Sequence, residues 1–290
     1  MGEYRIFTDA TADIAADMMV EMPETNIIPM NVEIGEREYI YGPKGTITAK
    51  EFYRLQREGS FATTSQITPQ TYFQYFEPCL RSGKDILYLS FSSGMSGTYQ
   101  SALLAAEELK KEYPERKIIC LDTLCASVGE GFFVREAAQK QSEGFTLEEL
   151  AEWAENHRLQ ICHWFTVDTF EHLRHGGRVS AATAAVGTVL QIKPLLHVDD
   201  KGCLQVIGKT RGRKRSIAMQ ISKMEQGWSP EVGKRVLIGH GDAPETAEIL
   251  RKEISDKFPE AEIGITEIGP IIGAHTGPGM LAVIYWGNNR

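Results

Sequence analysis

Between the apolar run Ile86-Leu87-Tyr88-Leu89 and a helical run at 102–109 lies Ser90-Phe91-Ser92-Ser93-Gly94-Met95-Ser96-Gly97-Thr98-Tyr99-Gln100-Ser101, and no other stretch constrains the fold as much. Apolar residues bounded by polar ones read as a buried strand. Ala102-Leu103-Leu104-Ala105-Ala106-Glu107-Glu108-Leu109 is composed largely of good helix formers. A strand that passes through a Ser/Gly loop into a helix is the first half of a βαβ unit, from which parallel sheets are built. The loop also has a chemical meaning. The first-turn N–H groups of a helix lack intrahelical partners, the helix dipole adds positive potential, and short hydroxyls add donors. Such a turn can hold a phosphate or a carboxylate without a fixed cation. Ser and Thr caps and Gly turns explain the same residues with no ligand at all, so both readings stand.

The first half of the chain repeats this alternation. Strands at 5–8, 27–32 and 118–121 join the one at 86–89, with helices at 14–20, 48–57, 70–80, 132–141 and 147–157. Thr48 with Glu51 and Thr146 with Glu149 spell capping boxes, and Thr68-Pro69 is an N-cap followed by N1. Polar loops accompany the strands: Asp9-Ala10-Thr11-Ala12-Asp13, Thr63-Thr64-Ser65, and Asp122 to Ser127 followed by a Gly129-x-Gly131 turn. Residues 33–45 read as a hairpin or a covering loop. Loops after strands converge on one edge of an open α/β sheet. The Asp9–Asp13 loop is therefore expected to line the same cleft as the Ser90 loop, with capping by Thr11 as its plainer role.

Beyond His157 the pattern changes. A strand at 161–167 leads to helical turns at 168–174, the turn His175-Gly176-Gly177-Arg178-Val179-Ser180, and a small-residue stretch at 181–187. Strands at 192–198 and 204–208 flank the turn Asp199-Asp200-Lys201-Gly202, which requires antiparallel pairing. Helices at 213–225 and 243–257 and strands at 235–239, 262–267 and 281–286 complete the chain. A boundary near 158 is expected, with a mixed-sheet second domain at 159–290.

The net charge of -8 disfavours wholesale nucleic-acid binding. No apolar run reaches membrane-spanning length, and the start, Met1 to Ile6, has neither the basic nor the apolar region of a signal peptide. Cys79, Cys120, Cys125, Cys162 and Cys203 are scattered with no Cys-x-x-Cys, which reads as the reduced thiols of a cytoplasmic protein.

Four constellations carry possible chemistry. Gly94-Met95-Ser96-Gly97-Thr98 nearly spells a nucleophile elbow, with Thr98 where the second Gly belongs; His275 and Asp242 would supply base and acid. His172 and His175 lack a Glu-containing zinc pattern, so no metal is expected. Lys209-Thr210-Arg211-Gly212-Arg213-Lys214-Arg215 concentrates positive charge in an acidic chain, as a solvated face or as a dock for an acidic partner or a phosphorylated ligand. The Gly- and Pro-dense stretch at 269–279, with its lone His275, fits a loop that touches a ligand.

Taken together, Thr8 to Asp13, Thr64-Ser65-Gln66, Ser92 to Ser101, Gly176 to Ser180, Lys193-Pro194-Leu195-Leu196 and 269–279 resemble, in order and over essentially the whole chain, the DegV family of bacterial fatty-acid-binding proteins. The resemblance implies an α/β fold, an N-terminal three-layer parallel-sheet domain at 1–158 plus a C-terminal two-layer mixed-sheet α/β domain. It implies one long-chain fatty acid, palmitate for example, in an apolar tunnel. Thr64 and Ser96 would hold the carboxylate, with Ser65, Gly97 and His275 beside it and Arg178 and Arg211 near the head group or a partner. It further implies no cofactor besides the ligand, no catalysis by the chain itself, no stable membrane insertion, and a separate ATP-dependent kinase subunit that makes the acyl phosphate. Ile67-Thr68-Pro69, Ala10 and Leu124-Cys125 depart from the usual Pro-Ser-Pro, Ser and Arg-Ser; the carboxylate pair does not. Each buried methylene contributes about 0.8 kcal/mol, so roughly fifteen contribute on the order of 12 kcal/mol before ordering costs. The head group then needs only partners that leave no carboxylate unpaired. Met18, Met19 and Met95 would suit a variable tail as well as a core. An α/β serine hydrolase using Ser96, a small-molecule kinase, against which the missing Walker loop speaks, and a ligand-dependent regulatory module are the rivals.

Overall fold

A computed structural model describes residues 3–14, 16–180, 192–288 and 290; the small-residue stretch at 181–187 lies outside them. In the first half, β1 (Tyr4–Asp9), β2 (Thr25–Ile28), β6 (Asp85–Ser90) and β7 (Ile118–Asp122) form a parallel sheet in the order β2-β1-β6-β7. Side chains alternate across it. Ile6, Leu87 and Leu89 pack on α5 (Val128–Ser142) and α6 (Leu147–His157). Phe7, Ile86 and Tyr88 pack on α3 (Pro69–Arg81) and α4 (Thr98–Glu112). These are the three layers that the resemblance implies.

β3 (Met30–Ile34), β4 (Arg37–Tyr41) and β5 (Ala62–Thr64) form a separate antiparallel sheet. The single strand expected at 27–32 is thus two strands in two sheets. Pro29 stands between them and has no N–H to give to a ladder. The short helix α1 (Ala16–Glu21) follows β1, and α2 (Ala49–Arg57) is capped by Thr48, whose hydroxyl accepts from Glu51 N–H.

Helix α5 starts four residues earlier than its apolar pattern suggests, and Gly129 and Gly131 lie inside it rather than in a turn. A Cβ at Gly129 would stand 2.0 Å from His163 Nε2, and one at Gly131 would stand 2.2 Å from Ala12 O. These glycines serve close packing of the helix.

In the second half, β8 (Ile161–Thr166), β9 (Ile192–Val198), β10 (Leu204–Arg211), β11 (Arg235–His240), β12 (Glu262–Glu267) and β13 (Leu281–Trp286) make a mixed sheet in the order β10-β9-β8-β13-β11-β12. The β9–β10 hairpin is antiparallel and β11–β12 is parallel. Trp164, Val236, Val283 and Tyr285 share a core with α8 (Arg213–Gly227) and α9 (Pro244–Lys257). Phe165, Leu237, Ala282 and Ile284, from the other face, join the core of the first half. Two short α-helices, α7 (Glu171–His175) and α10 (Pro270–Thr276), and single 3-10 turns at Ala10–Ala12 and Arg158–Gln160 complete the description. No described helix is long and apolar enough to cross a membrane.

Candidate functional site

A cavity of about 270 Å³ opens where the two halves meet. Its outer part is lined by Thr64, Ser65, Gln66, Ser96, Gly97, Arg178 and His275. Four elements bring them together: the end of β5, the N-terminus of α4, the turn after α7, and α10. Among the described lining residues none is Asp or Glu, and Arg178 alone carries a fixed positive charge. The mouth therefore favours an anion.

Close approach here depends on glycine. A Cβ at Gly97 would meet Gln66 Oε1 at 2.2 Å, and one at Gly176 would meet His275 Nδ1 at 2.0 Å. Gln66 Nε2 donates to Ser101 Oγ at 3.3 Å. Ser96 Oγ donates to Thr98 Oγ1 at 3.0 Å and accepts from Thr98 N–H at 3.3 Å, which seats it on the first turn of α4. Arg178 donates to Gly176 O at 2.5 Å and to Met95 O at 3.0 Å, so its guanidinium clips the turn after α7 onto the Ser96 loop.

Thr64 Oγ1 and His275 Nε2 are 2.8 Å apart. Burial, with Arg178, His175 and His172 nearby, lowers the His275 pKa to about 4, so the ring is neutral at pH 7. Its buried Nδ1 has no partner. An orphaned N–H is a rarer fault than a bare acceptor, which places the proton on Nε2. His275 then donates to Thr64 Oγ1, and the Thr64 hydroxyl proton is left to point at a ligand. This tautomer follows from the hydrogen bonds rather than from any observed hydrogen.

The inner part is apolar, with Phe91, Phe165, Leu173, Ile271, Met280 and Ile284 among its walls. Thr11, Ser127 and His163 also reach it, and all three are buried. Their polar atoms are already engaged. His163 Nε2 accepts from Ala126 N–H at 3.3 Å and Nδ1 donates to Ile161 O at 3.0 Å, while burial holds this imidazole well below its ordinary pKa. Ser127 Oγ donates to Asp13 at 2.6 Å and Thr11 Oγ1 to Asp9 at 2.5 Å. Thr11 has only that one hydroxyl proton. Its 2.8 Å contact with Glu130 Oε2 therefore needs a proton on one of the two acids, and burial raises the pKa of both, Glu130 far up. The Asp9–Asp13 loop thus departs from expectation. Asp9 and Asp13 turn into the core, and of that loop only Thr11 lines the cavity.

Six of the seven residues singled out from the sequence line this cavity: Thr64, Ser65, Ser96, Gly97, Arg178 and His275. Arg211 does not; it is exposed at the end of β10, a strand that runs past its expected end at 208 and carries Lys209 and Arg211 on one face. The triad suggested by the elbow-like spelling is not assembled. His275 sits on Thr64, and Asp242 pairs with Arg57. His172 and His175 both pack on the Phe61 ring, with centroids 5.0 and 4.8 Å away. Among the described residues, no three His, Cys, Asp or Glu side chains are placed to hold a metal. Gln66, Ser127 and His163 were not among the expected site residues. A histidine within an otherwise apolar strand was the one available signal for His163.

The family model described as "Uncharacterised protein, DegV family" matches residues 3–288. A DegV domain-containing protein of Clostridium perfringens is 39% identical over 290 residues, covering 100% of this chain and 99% of its own. A DegV family protein from Thermus thermophilus, solved for its fatty acid binding, superposes with a TM-score of 0.85 at 30% identity, covering 98% of this chain and 99% of its own. DegV of Bacillus subtilis, described as a fatty acid binding protein, gives a TM-score of 0.85 at 27% identity and covers 99% of this chain and 100% of its own.

Proposed function

The chain belongs to the DegV family, and on that premise we propose that it binds one long-chain fatty acid in the cavity between its halves, carboxylate outward. One observation carries this reading: an apolar cavity whose mouth offers the Thr64 hydroxyl, freed by His275, and Ser96 on the first turn of α4. Hydroxyls and helix N–H groups stabilise a carboxylate without burying a second charge, and the enclosed tail supplies most of the affinity. Ser65, Gly97 and Arg178 complete the head-group surroundings.

The head-group end is the accessible end, since Ser65, Gln66, Gly97 and Arg178 are exposed. This supports a carrier that presents the carboxylate to a separate ATP-dependent kinase subunit; we place it in the cytoplasm and give it no chemistry of its own. Arg211 and its basic neighbours would face that partner. The same reading divides the chain into domains at 1–158 and 159–290, with the ligand at the joint. Native mass spectrometry of the purified protein, followed by denaturation and lipid identification, tests the binding. A stoichiometric fatty acid, or stoichiometric uptake of added palmitate, is expected. An empty protein that takes up neither palmitate nor oleate refutes the reading, as does labelling of Ser96 by a fluorophosphonate. Phosphorylation of the bound acid by a candidate kinase with ATP tests the partnership.

A further inference from the structure

The guanidinium of Arg290 makes five hydrogen bonds, and none of them goes to a carboxylate. Nε donates to Ile161 O at 3.0 Å, Nη1 to Leu124 O and to Asp199 O at 3.2 Å, and Nη2 to Arg158 O at 2.8 Å and to Cys125 Sγ at 3.0 Å. A guanidinium has five N–H groups in a fixed fork, so every donor is used. The acceptors lie on three stretches far apart in sequence: the loop after β7, the segment that enters β8, and the turn after β9. Each stretch places a residue in the cavity wall beside the bond. The loop gives Ala126, Ser127 and Val128, β8 gives His163, and β9 gives Val198.

The loop after β7 is the piece that most needs holding. Leu124 and Ser127 both have φ of +53°, a left-handed conformation that residues with a Cβ adopt only when their surroundings impose it. Leu124 N–H is held by Asp122 Oδ1 at 3.0 Å, Cys125 N–H by Thr123 Oγ1 at 3.1 Å, and Ala126 N–H by His163 Nε2 at 3.3 Å. Arg290 takes the opposite side of the loop, the Leu124 carbonyl and the Cys125 thiol. Arg158 separately donates to Asp122 O at 2.7 Å and anchors the loop's base, so a variant at Arg290 keeps the start of the loop in place.

We infer that Arg290 is a positioning residue for the inner wall of the tunnel: it ties the loop at 124–128 to β8 and β9 and so fixes the depth open to an acyl tail. The inference rests on the fatty-acid reading above. A short acid that stops before this wall is indifferent to Arg290, whereas a long one that presses on it is not.

The test compares delipidated wild type with Arg290→Gln and Arg290→Lys. Stopped-flow dissociation is measured for decanoate and for palmitate, and the labelling rate of Cys125 by a maleimide is measured in the ligand-free proteins. Losing hydrogen bonds from a charged donor is expected to speed palmitate release from Arg290→Gln about tenfold, with decanoate unchanged and Arg290→Lys in between. Cys125 is fully buried, and its labelling is expected to rise in Arg290→Gln by a similar factor. Equal changes for decanoate and palmitate would mark general destabilisation and overturn the inference, as would wild-type rates in both arms. A wild type that binds neither acid would instead refute the fatty-acid reading, and the thiol arm would still decide whether Arg290 holds the loop.

Discussion

Thr64→Val removes one hydroxyl and leaves the shape of the side chain. In the native site Thr64 accepts from His275 at 2.8 Å and keeps its own proton for the ligand. Valine cannot give that proton, so one charge-assisted hydrogen bond to the carboxylate is lost. Such bonds contribute about 1.5 to 3 kcal/mol, which predicts a Kd raised roughly 10- to 150-fold. The His275 N–H loses its acceptor in the free and the bound protein alike, so it lowers stability more than it changes binding. Isothermal titration of the delipidated protein with laurate and with palmitate measures the effect. Head and tail contacts are separate, so the same factor is expected for both acids. Thr64→Ser, which restores the hydroxyl, is expected to recover most of the loss. A change below about threefold, or roughly 0.65 kcal/mol and less than half of the smallest predicted effect, would refute the assignment of Thr64 as donor. So would a loss that grows with chain length.

Three further outcomes follow from the geometry. Gly176→Ala places a Cβ 2.0 Å from His275 Nδ1; it is expected to displace the ring and weaken binding about as much as Thr64→Val, roughly 1.5 kcal/mol or more, by the same titration. Glu130→Gln keeps a donor toward Thr11 and is expected to change stability by less than about 1 kcal/mol in urea melts, whereas an ionised Glu130 would make that substitution costly. The pH dependence of the melting temperature has opposed sources, of which His275 and Asp13 are one of each sign. His275 falls to about 4 on folding, so it removes stability as pH drops from about 6.5 to 4, when only the unfolded chain takes up the proton. Burial raises Asp13 to about 7, so it removes stability as pH rises from about 4 to 7. Asp13→Asn abolishes the second effect, and circular-dichroism melts are expected to show the variant gaining at pH 8 relative to pH 5. An unchanged profile would contradict a buried, protonated Asp13.

Much of this site is legible in the sequence because its chemistry is local. Hydroxyls crowd where strands end, so Thr64 and Ser96 stand out, and a single His in a Gly- and Pro-dense segment marks His275. The partner of that His is not legible. Spacing alone cannot tell whether His275 reaches Ser96 or Thr64, and the elbow-like spelling around Ser96 points to the wrong one. Gly129 and Gly131 look like a turn for the same reason: the atoms that exclude a Cβ there, His163 Nε2 and Ala12 O, come from other elements. Pro29 could have been read as the break between two strands, because its missing N–H is a local fact. Arg290 gives no local signal, since its five acceptors lie on other segments of the chain.

Beneath the inner end of the cavity lie Asp9, Asp13 and Glu130, joined to it through Thr11 and Ser127, and among the described residues none of the three has a cationic partner. An amphiphile entering from solvent has two ways to lie in the tunnel. Head inward, its anion would meet, among the described residues, only the Thr11 and Ser127 hydroxyls, already engaged with Asp9 and Asp13, and no cation; head outward, it would meet Arg178 and the first turn of α4. The fold is in this sense a rectifier. On the fatty-acid reading proposed above, it would sort a symmetric encounter into one direction of storage, with the reactive end of the ligand facing the solvent.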